Sequence, residues 1–157
     1  MLVGFSQAAF AQNATVAFGG FKHDASLPVE ITADNLTVDQ DSGSAVFSGN
    51  VVVGQGEMRL SAGRIRVEYA TENGAATGRI DRLFATGGVT LVNGAEAAEA
   101  QEAIYAIESS EIVMTGGVLL TQGENALSGE KLIVDLTAGS GRMEGRVKTI
   151  FQTGADQ

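Results

Sequence analysis

Hydrophobic and polar residues alternate along several short segments of the chain, a pattern that predicts β-strands with one buried face. Residues 65–69 show it most clearly, because Ile65, Val67 and Tyr69 are separated by Arg66 and Glu68. Residues 36–39, 104–107 and 132–136 follow a similar pattern. The sequence therefore predicts an all-β protein.

One short phrase occurs three times along the chain, as Ser48-Gly49-Asn50-Val51, Thr86-Gly87-Gly88-Val89 and Thr115-Gly116-Gly117-Val118. Its valines are 38 (89 − 51) and 29 (118 − 89) positions apart. Residues 70–78 account for the longer spacing as an insertion. Each phrase is followed by a Gly-containing turn of the kind that reverses a chain between strands, such as Asn93-Gly94. The repeat predicts strand pairs separated by glycine turns.

The alternation also defines a set of apolar residues that share one face of the predicted sheet. This inward set is Val29, Ile31, Leu36, Val38, Val51, Val53, Met58, Leu60, Ile65, Val67, Val89, Leu91, Ile104, Val118, Leu120, Leu132 and Val134. Protein cores and apolar ligand sites use the same residue types, so each of these side chains is a candidate for either role.

Residues 95–108 conflict with this pattern, because they consist mainly of Ala and Glu, which are strong helix formers. Their position in the repeat corresponds to a strand. Burial and cross-strand packing commonly override local preference, so the interpretation as strand is favoured.

Length and composition are those of one soluble domain. The chain has 157 residues, 21 of them glycine and one proline, which favours many tight turns. Its net charge of −9 argues against nucleic acid as a partner, because no basic run could displace counterions from a phosphate backbone. No stretch is long and apolar enough to span a bilayer as a helix.

Residues 1–11 resemble a signal peptide that ends in Ala9-Phe10-Ala11, the small-x-small form of a cleavage site. The basic residues that usually begin such a peptide are missing, so it is either incomplete at its start or an ordinary apolar strand. We expect export to the periplasm, a flexible leader at 12–27, a single β-domain at 28–151 and a C-terminal tail at 152–157.

The residue types needed for catalysis are scarce. His23 is the sole histidine and lies in the predicted leader, and there is no cysteine, so any triad would have to be built on a mobile segment. The segment Asp39-Gln40-Asp41-Ser42-Gly43 has only part of the ligand set of a calcium loop and is equally an ordinary turn. A pair of carboxylates could serve a glycosidase, but few aromatic rings are present to stack on a sugar. We expect no enzyme activity, no cofactor and no metal.

Two phrases resemble the LptA (OstA-like) family of periplasmic lipopolysaccharide transport proteins. They are Ile31-Thr32-Ala33-Asp34-Asn35-Leu36 and Phe47-Ser48-Gly49-Asn50-Val51-Val52-Val53-Gly54-Gln55-Gly56. The resemblance extends over residues 28–151, is strongest to residue 67 and is weaker around 95–108. A second Ala-Asp of the family pattern is Ala62-Gly63 here, which departs from it.

The resemblance implies an OstA-like β-jellyroll, a twisted and incompletely closed stack of antiparallel strands, whose apolar interior holds the acyl chains of lipid A. It also implies a periplasmic bridge between an LptC-like inner-membrane component and an LptD-like outer-membrane component, with copies joined head to tail.

An incompletely closed sheet has edge strands that can pair with another chain. The candidates for these assembly edges come from the two ends of the domain: Val29, Glu30, Ile31, Val147, Lys148, Thr149, Ile150 and Phe151. Two other functional classes stay open, a structural β-repeat protein with a filled core and a carbohydrate-active β-solenoid. The related LptC-type component is a further alternative, although the expected cleavage site favours the soluble member.

Overall fold

The computed structural model describes residues 13–17, 22–39 and 41–152, and the strands in these ranges all pair antiparallel. The predicted signal peptide at 1–11 lies outside them. The strands are β1 (Asn13–Ala17), β2 (Glu30–Thr32), β3 (Asn35–Asp39), β4 (Ser44–Gln55), β5 (Met58–Glu72), β6 (Ala75–Thr86), β7 (Val89–Asn93), β8 (Glu96–Ala100), β9 (Glu102–Ala106), β10 (Glu111–Gln122), β11 (Asn125–Asp135), β12 (Ser140–Glu144) and β13 (Lys148–Ile150).

The long strands β4, β5, β10 and β11 each pair with different neighbours along their two halves, so the sheet has two arms. The first arm has the order β3-β4-β5-β6-β9-β10-β11-β12-β1, and the second has the order β2-β4-β5-β7-β8-β10-β11-β13. Buried side chains from both arms form one hydrophobic core. The arms therefore pack face to face, as in a sandwich whose sheets share their central strands.

The outermost strands leave the stack open at both ends. Within the described residues, β2 and β3 pair only with β4, β13 pairs only with β11, and β1 pairs only with β12. The prediction of an all-β, incompletely closed antiparallel stack is confirmed. The interpretation of residues 95–108 as strand is also correct, because they form β8 and β9.

The repeated glycine phrase marks bends where the chain passes from one arm to the other. Pairing is interrupted between Ser48 and Val51 in β4 and between Thr115 and Val118 in β10, and Gly87-Gly88 joins β6 to β7. The first glycine of each phrase has a φ between +81° and +89°. Only glycine adopts such a conformation without strain.

A fourth bend of this kind lies at Gly145-Arg146, with φ values of +84° and +46°. Its sequence, Glu144-Gly145-Arg146-Val147, departs from the repeated phrase because an arginine replaces the second Gly or Asn. Asn50 and Arg146 have φ values of +48° and +46°, close to the left-handed region that non-glycine residues can occupy. The first position of the bend therefore demands glycine more strictly than the second.

Each of these bends lies against a bend in a neighbouring strand. Asp34 donates its backbone N–H to Gly49 O at 2.9 Å and accepts a hydrogen bond from Asn50 Nδ2 at 3.0 Å. Gln101 N–H likewise donates to Gly116 O at 3.1 Å. The Ala-Asp and Gly-Asn phrases that carry the family resemblance thus meet at one contact.

Candidate functional site

Most of the predicted inward set lies in the core between the two arms. Twelve side chains are at most 2% exposed: Val51, Val53, Met58, Leu60, Ile65, Val67, Val89, Leu91, Val118, Leu120, Leu132 and Val134. Val29 and Ile31 are half-buried and pack against this core. These side chains form a packed core, and a role in ligand binding stays a prediction for each of them.

Leu36 and Val38 lie on the same inner face but are open to solvent. They are directly opposite Phe47 and Ala45, and Ala45 is 2% exposed. Because β3 is the outermost strand of its arm, nothing in the described structure covers them from beyond the edge, and they are 54% and 61% exposed. The apolar face thus extends from the core to an accessible end.

The assignment of Ile104 to the inward set is wrong. Its strand neighbours Ala103 and Tyr105 are buried, whereas Ile104 is 39% exposed and lies beside Phe84 and Val113 on the outer face. Ala100 and Ala103 are both buried, and the two residues between them at the bend are exposed. Strict alternation therefore fails at this bend. A bend that inserts one residue reverses which face each side chain takes.

Sequence reasoning also missed several inward residues. Those with large side chains are Leu83, Tyr105, Ile112, Met114, Leu127, Leu136 and Met143, all at most 3% exposed. Leu83 and Ala85 are two positions apart in β6, and this spacing could have predicted that both face inward. Tyr105 belongs to the predicted alternating segment 104–107, but the assignment of Ile104 to the inward face placed Tyr105 on the outer one.

A polar contact lies at the mouth of the interior, where β4 ends. Gln55 is 1% exposed, and its Oε1 accepts hydrogen bonds from the Tyr105 hydroxyl at 2.7 Å and from His23 Nε2 at 2.9 Å. Burial raises the pKa of the Tyr105 phenol, and the charge of Asp24 adds to this effect. Tyr105 therefore remains a neutral donor at physiological pH.

Residues 22–29, named the strap here, run across this mouth. Gln55 Nε2 donates to Ala25 O at 3.0 Å and to Leu27 O at 2.8 Å, while His23 N–H donates to Leu136 O at 2.9 Å. The strap thus links the end of β4 in the second arm to the turn after β11 in the first. Residues 22–27 were predicted as leader because their partners are distant in sequence.

A turn within the strap is stabilised by Asp24, whose Oδ1 accepts hydrogen bonds from Ser26 Oγ at 2.5 Å and Ser26 N at 2.9 Å. These two hydrogen bonds lower the pKa of the Asp24 carboxyl, with a smaller contribution from His23. The carboxylate is therefore the form that holds the turn at neutral pH.

A cavity of about 990 Å³ lies between the strap and the turns of the first arm. Its apolar wall includes Ala25, Leu27, Val29, Ile80 and Ile107, and charged residues of both signs lie at its rim. The volume is within the range of sites that hold drug-sized ligands. An apolar wall with a polar rim suits an amphiphile.

The rest of the described structure offers little other chemistry. No group of three or more His, Asp or Glu residues in the described ranges could hold a metal ion. The ion pairs described, such as Arg66 with Glu68 at 3.3 Å, are exposed and contribute little to stability. Within these ranges, no helix has the length and hydropathy needed to cross a membrane.

Comparisons with known proteins agree on family and fold. Residues 30–140 match the family described as LptA/(LptD N-terminal domain) LPS transport protein. An uncharacterized protein of Rhizobium meliloti (strain 1021) is 31% identical over 150 residues, covering 91% of this chain and 81% of the relative.

The crystal structure of LptH, described as the LptA homologous periplasmic component of the lipopolysaccharide transport device of Pseudomonas aeruginosa, has a similar fold. It superposes with a TM-score of 0.72 over 82% of this chain and 98% of that one, at 18% identity. At this identity the likeness concerns the fold alone, which is the LptA-like fold that the sequence predicted.

Proposed function

Because this chain belongs to the family of LptA and LptD N-terminal LPS transport proteins, we propose that it is a periplasmic carrier of lipopolysaccharide. The family consists of transport proteins and not of enzymes. In the proposed role, the chain binds the acyl chains of lipid A in its apolar interior and bridges an LptC-like inner-membrane component and an LptD-like outer-membrane component.

The observation that carries this proposal is the continuity of the inner face. It runs from a core of side chains at most 2% exposed to Leu36 and Val38, which are more than half exposed at the end of the stack. An acyl chain could follow such a face from one end of the molecule toward its centre. The cavity beneath the strap gives a second apolar entry from the side.

Hydrophobic contact is the expected source of affinity. Lipopolysaccharide is anionic and the chain carries a net charge of −9, so long-range charge does not attract the two. Burial of acyl methylenes contributes about 0.8 kcal/mol each. Even part of one acyl chain therefore contributes several kcal/mol to binding.

We expect lipopolysaccharide to displace a bound lipid-like fluorophore from the protein, with an apparent Kd that changes less than about threefold between ~0.05 and ~0.5 M salt. Fluorescence titration measures this directly. A steep loss of binding at high salt would reject the hydrophobic mechanism, and failure to displace the fluorophore would reject the carrier function.

The bridging role requires surfaces at both ends of the stack. The predicted edge segments correspond to β2 and β13, which are outermost strands of the second arm. Ile150 and Phe151 are 50% and 68% exposed beside β13. Head-to-tail contact between β2 and β3 of one copy and the opposite end of the next would extend both arms and cover Leu36 and Val38.

Replacing Leu36 and Val38 together by Asn is expected to weaken self-association at least tenfold, because each apolar side chain contributes about 1.5 kcal/mol or more when it is covered. Sedimentation velocity over a concentration series measures the effect. Thr37→Asn is the matched control, since Thr37 is an exposed residue between them on the opposite face of β3. Equal association of the double variant and the wild type would contradict the assembly at this edge.

The structural β-repeat protein with a filled core is the second candidate, and the tight burial of the inner face favours it. In that case the arms would stay packed and take up no lipid. The fluorophore titration separates the two, because a protein with a permanently filled core binds neither the fluorophore nor lipopolysaccharide.

A further inference from the structure

Gln55 holds the strap through two carbonyl oxygens that converge on one amide group. Its Nε2 donates to both Ala25 O and Leu27 O, at 3.0 and 2.8 Å. Its Oε1 is oriented by Tyr105 and His23 at 2.7 and 2.9 Å. Since an amide oxygen only accepts, these contacts leave Nε2 as the end that faces the Ala25 and Leu27 carbonyls.

The two residues that supply these carbonyls, Ala25 and Leu27, have apolar side chains. Ala25 and Val29 pack against the core, and Leu27 lies over the turn at Gly56, where an added Cβ would come within 2.8 Å of Leu27 Cδ1. An amide or ester carbonyl next to an alkyl group is also the chemistry at the root of an acyl chain, where it joins a head group. The strap therefore occupies the mouth in the manner of an acylated ligand.

Among the described residues, few other hydrogen bonds tie the strap to the sheet. Besides Gln55, the hydrogen bond from His23 N–H to Leu136 O joins its backbone to the domain. The hydrogen bond from Leu27 N–H to Asp24 O is internal to the strap. The strap lines part of the cavity of about 990 Å³, together with Ile80 and Ile107. Displacement would thus cost few hydrogen bonds, and a ligand could replace those made by Gln55.

We propose that Gln55 recognises the ester or amide carbonyls of an acylated amphiphile, and that the strap is an internal occupant which such a ligand displaces. The alkyl chain then takes the place of the strap's apolar side chains against the rest of the cavity wall, which includes Ile80 and Ile107. This inference rests on the proposed function and adds to it a residue that distinguishes acyl chains from plain alkyl chains.

The test compares two nonionic detergents below their micelle concentrations. Sucrose monododecanoate carries an ester carbonyl at the root of its chain, whereas dodecyl maltoside has the same chain length and a glycosidic oxygen without a carbonyl there. The ester carbonyl would accept one hydrogen bond from Gln55 Nε2 that dodecyl maltoside cannot replace. We therefore expect sucrose monododecanoate to bind the wild-type protein about fivefold more tightly than dodecyl maltoside in calorimetric titration. We also expect faster hydrogen exchange at the His23 amide when the ester is bound.

The variant for this test is Gln55→Met combined with Tyr105→Phe, because Gln55→Met alone would leave the buried Tyr105 hydroxyl without its acceptor. Circular dichroism and Tm verify its fold. We expect the two detergents to bind the double variant equally. A preference for the ester that persists in the variant, equal binding to the wild type, or slower exchange in the strap would each overturn the inference.

Lipopolysaccharide binding is measured in parallel so that the two levels of the proposal can be separated. If lipopolysaccharide binds and the detergents show no difference, the carrier function stands and carbonyl recognition by Gln55 fails. If neither lipopolysaccharide nor either detergent binds, the carrier function fails and the inference fails with it.

Discussion

Replacing Gly116 by Ala is expected to lower the free energy of unfolding by about 3 kcal/mol, whereas Gly117→Ala costs about 1 kcal/mol. Gly116 has a φ of +89°, and a Cβ there would lie 2.8 Å from Gln101 Cβ. Gly117 has a φ of +59°, and nothing lies within 4 Å of an added Cβ. Urea unfolding of the two variants measures the difference.

A third variant separates the steric part of this effect from the backbone strain. Gln101→Gly removes the side chain that the new methyl group meets. We therefore expect Gly116→Ala to lower the free energy of unfolding less in the Gln101→Gly background than in the wild-type protein. The chain itself contains this arrangement, because Gly63 lies against Gly87 at the equivalent bend. Equal losses for Gly116→Ala and Gly117→Ala would show that contact between neighbouring bends does not stabilise the fold.

The second large effect is expected in β10, where Leu119 and Leu120 are adjacent but take opposite faces. Leu120 is 0% exposed, so Leu120→Ala should lower the free energy of unfolding by about 3 kcal/mol through lost burial and a cavity. Leu119 is 40% exposed, and Leu119→Ala should cost less than about 1 kcal/mol. Thermal and urea unfolding of the two variants provide the comparison.

A loss at Leu119 equal to that at Leu120 would mean that the outer face of β10 is covered by something other than the described residues. Equal and small losses would mean instead that the arms are loosely packed around Leu120. The latter result would also bear on the carrier function, since a loosely packed interior opens to a ligand at little cost in free energy.

Alternation in the sequence predicted the face of most strand residues because it reflects the local geometry of an extended chain. It succeeded at Leu120 and Ile65, each of which lies within a regularly paired segment. It failed at Ile104, because the bend at Gln101 reverses the alternation between Ala100 and Ala103. Composition added to the error, since Ile104 is larger and more hydrophobic than Ala103.

The contacts at the mouth had no signal in the sequence. Gln55 lies 32 residues from His23 and 50 from Tyr105, and none of the three belongs to a recognisable motif for a polar contact. The sequence therefore assigns His23 to a flexible leader. Only the folded arrangement, which brings the end of β4 beside β9 and the strap, shows that these side chains are partners.

By itself, the sequence determined the all-β class, the turns, the strand interpretation of residues 95–108 and the family. Alternation, glycine placement and short phrases are properties of contiguous residues, which is why they could be recognised without a structure. Tertiary structure alone decided that the repeated glycines are bends between two arms, that Leu36 and Val38 are exposed although they lie on the inner face, and that Gln55 binds the strap. Exposure and polar pairing depend on which strands become neighbours, and residues far apart in the chain determine that.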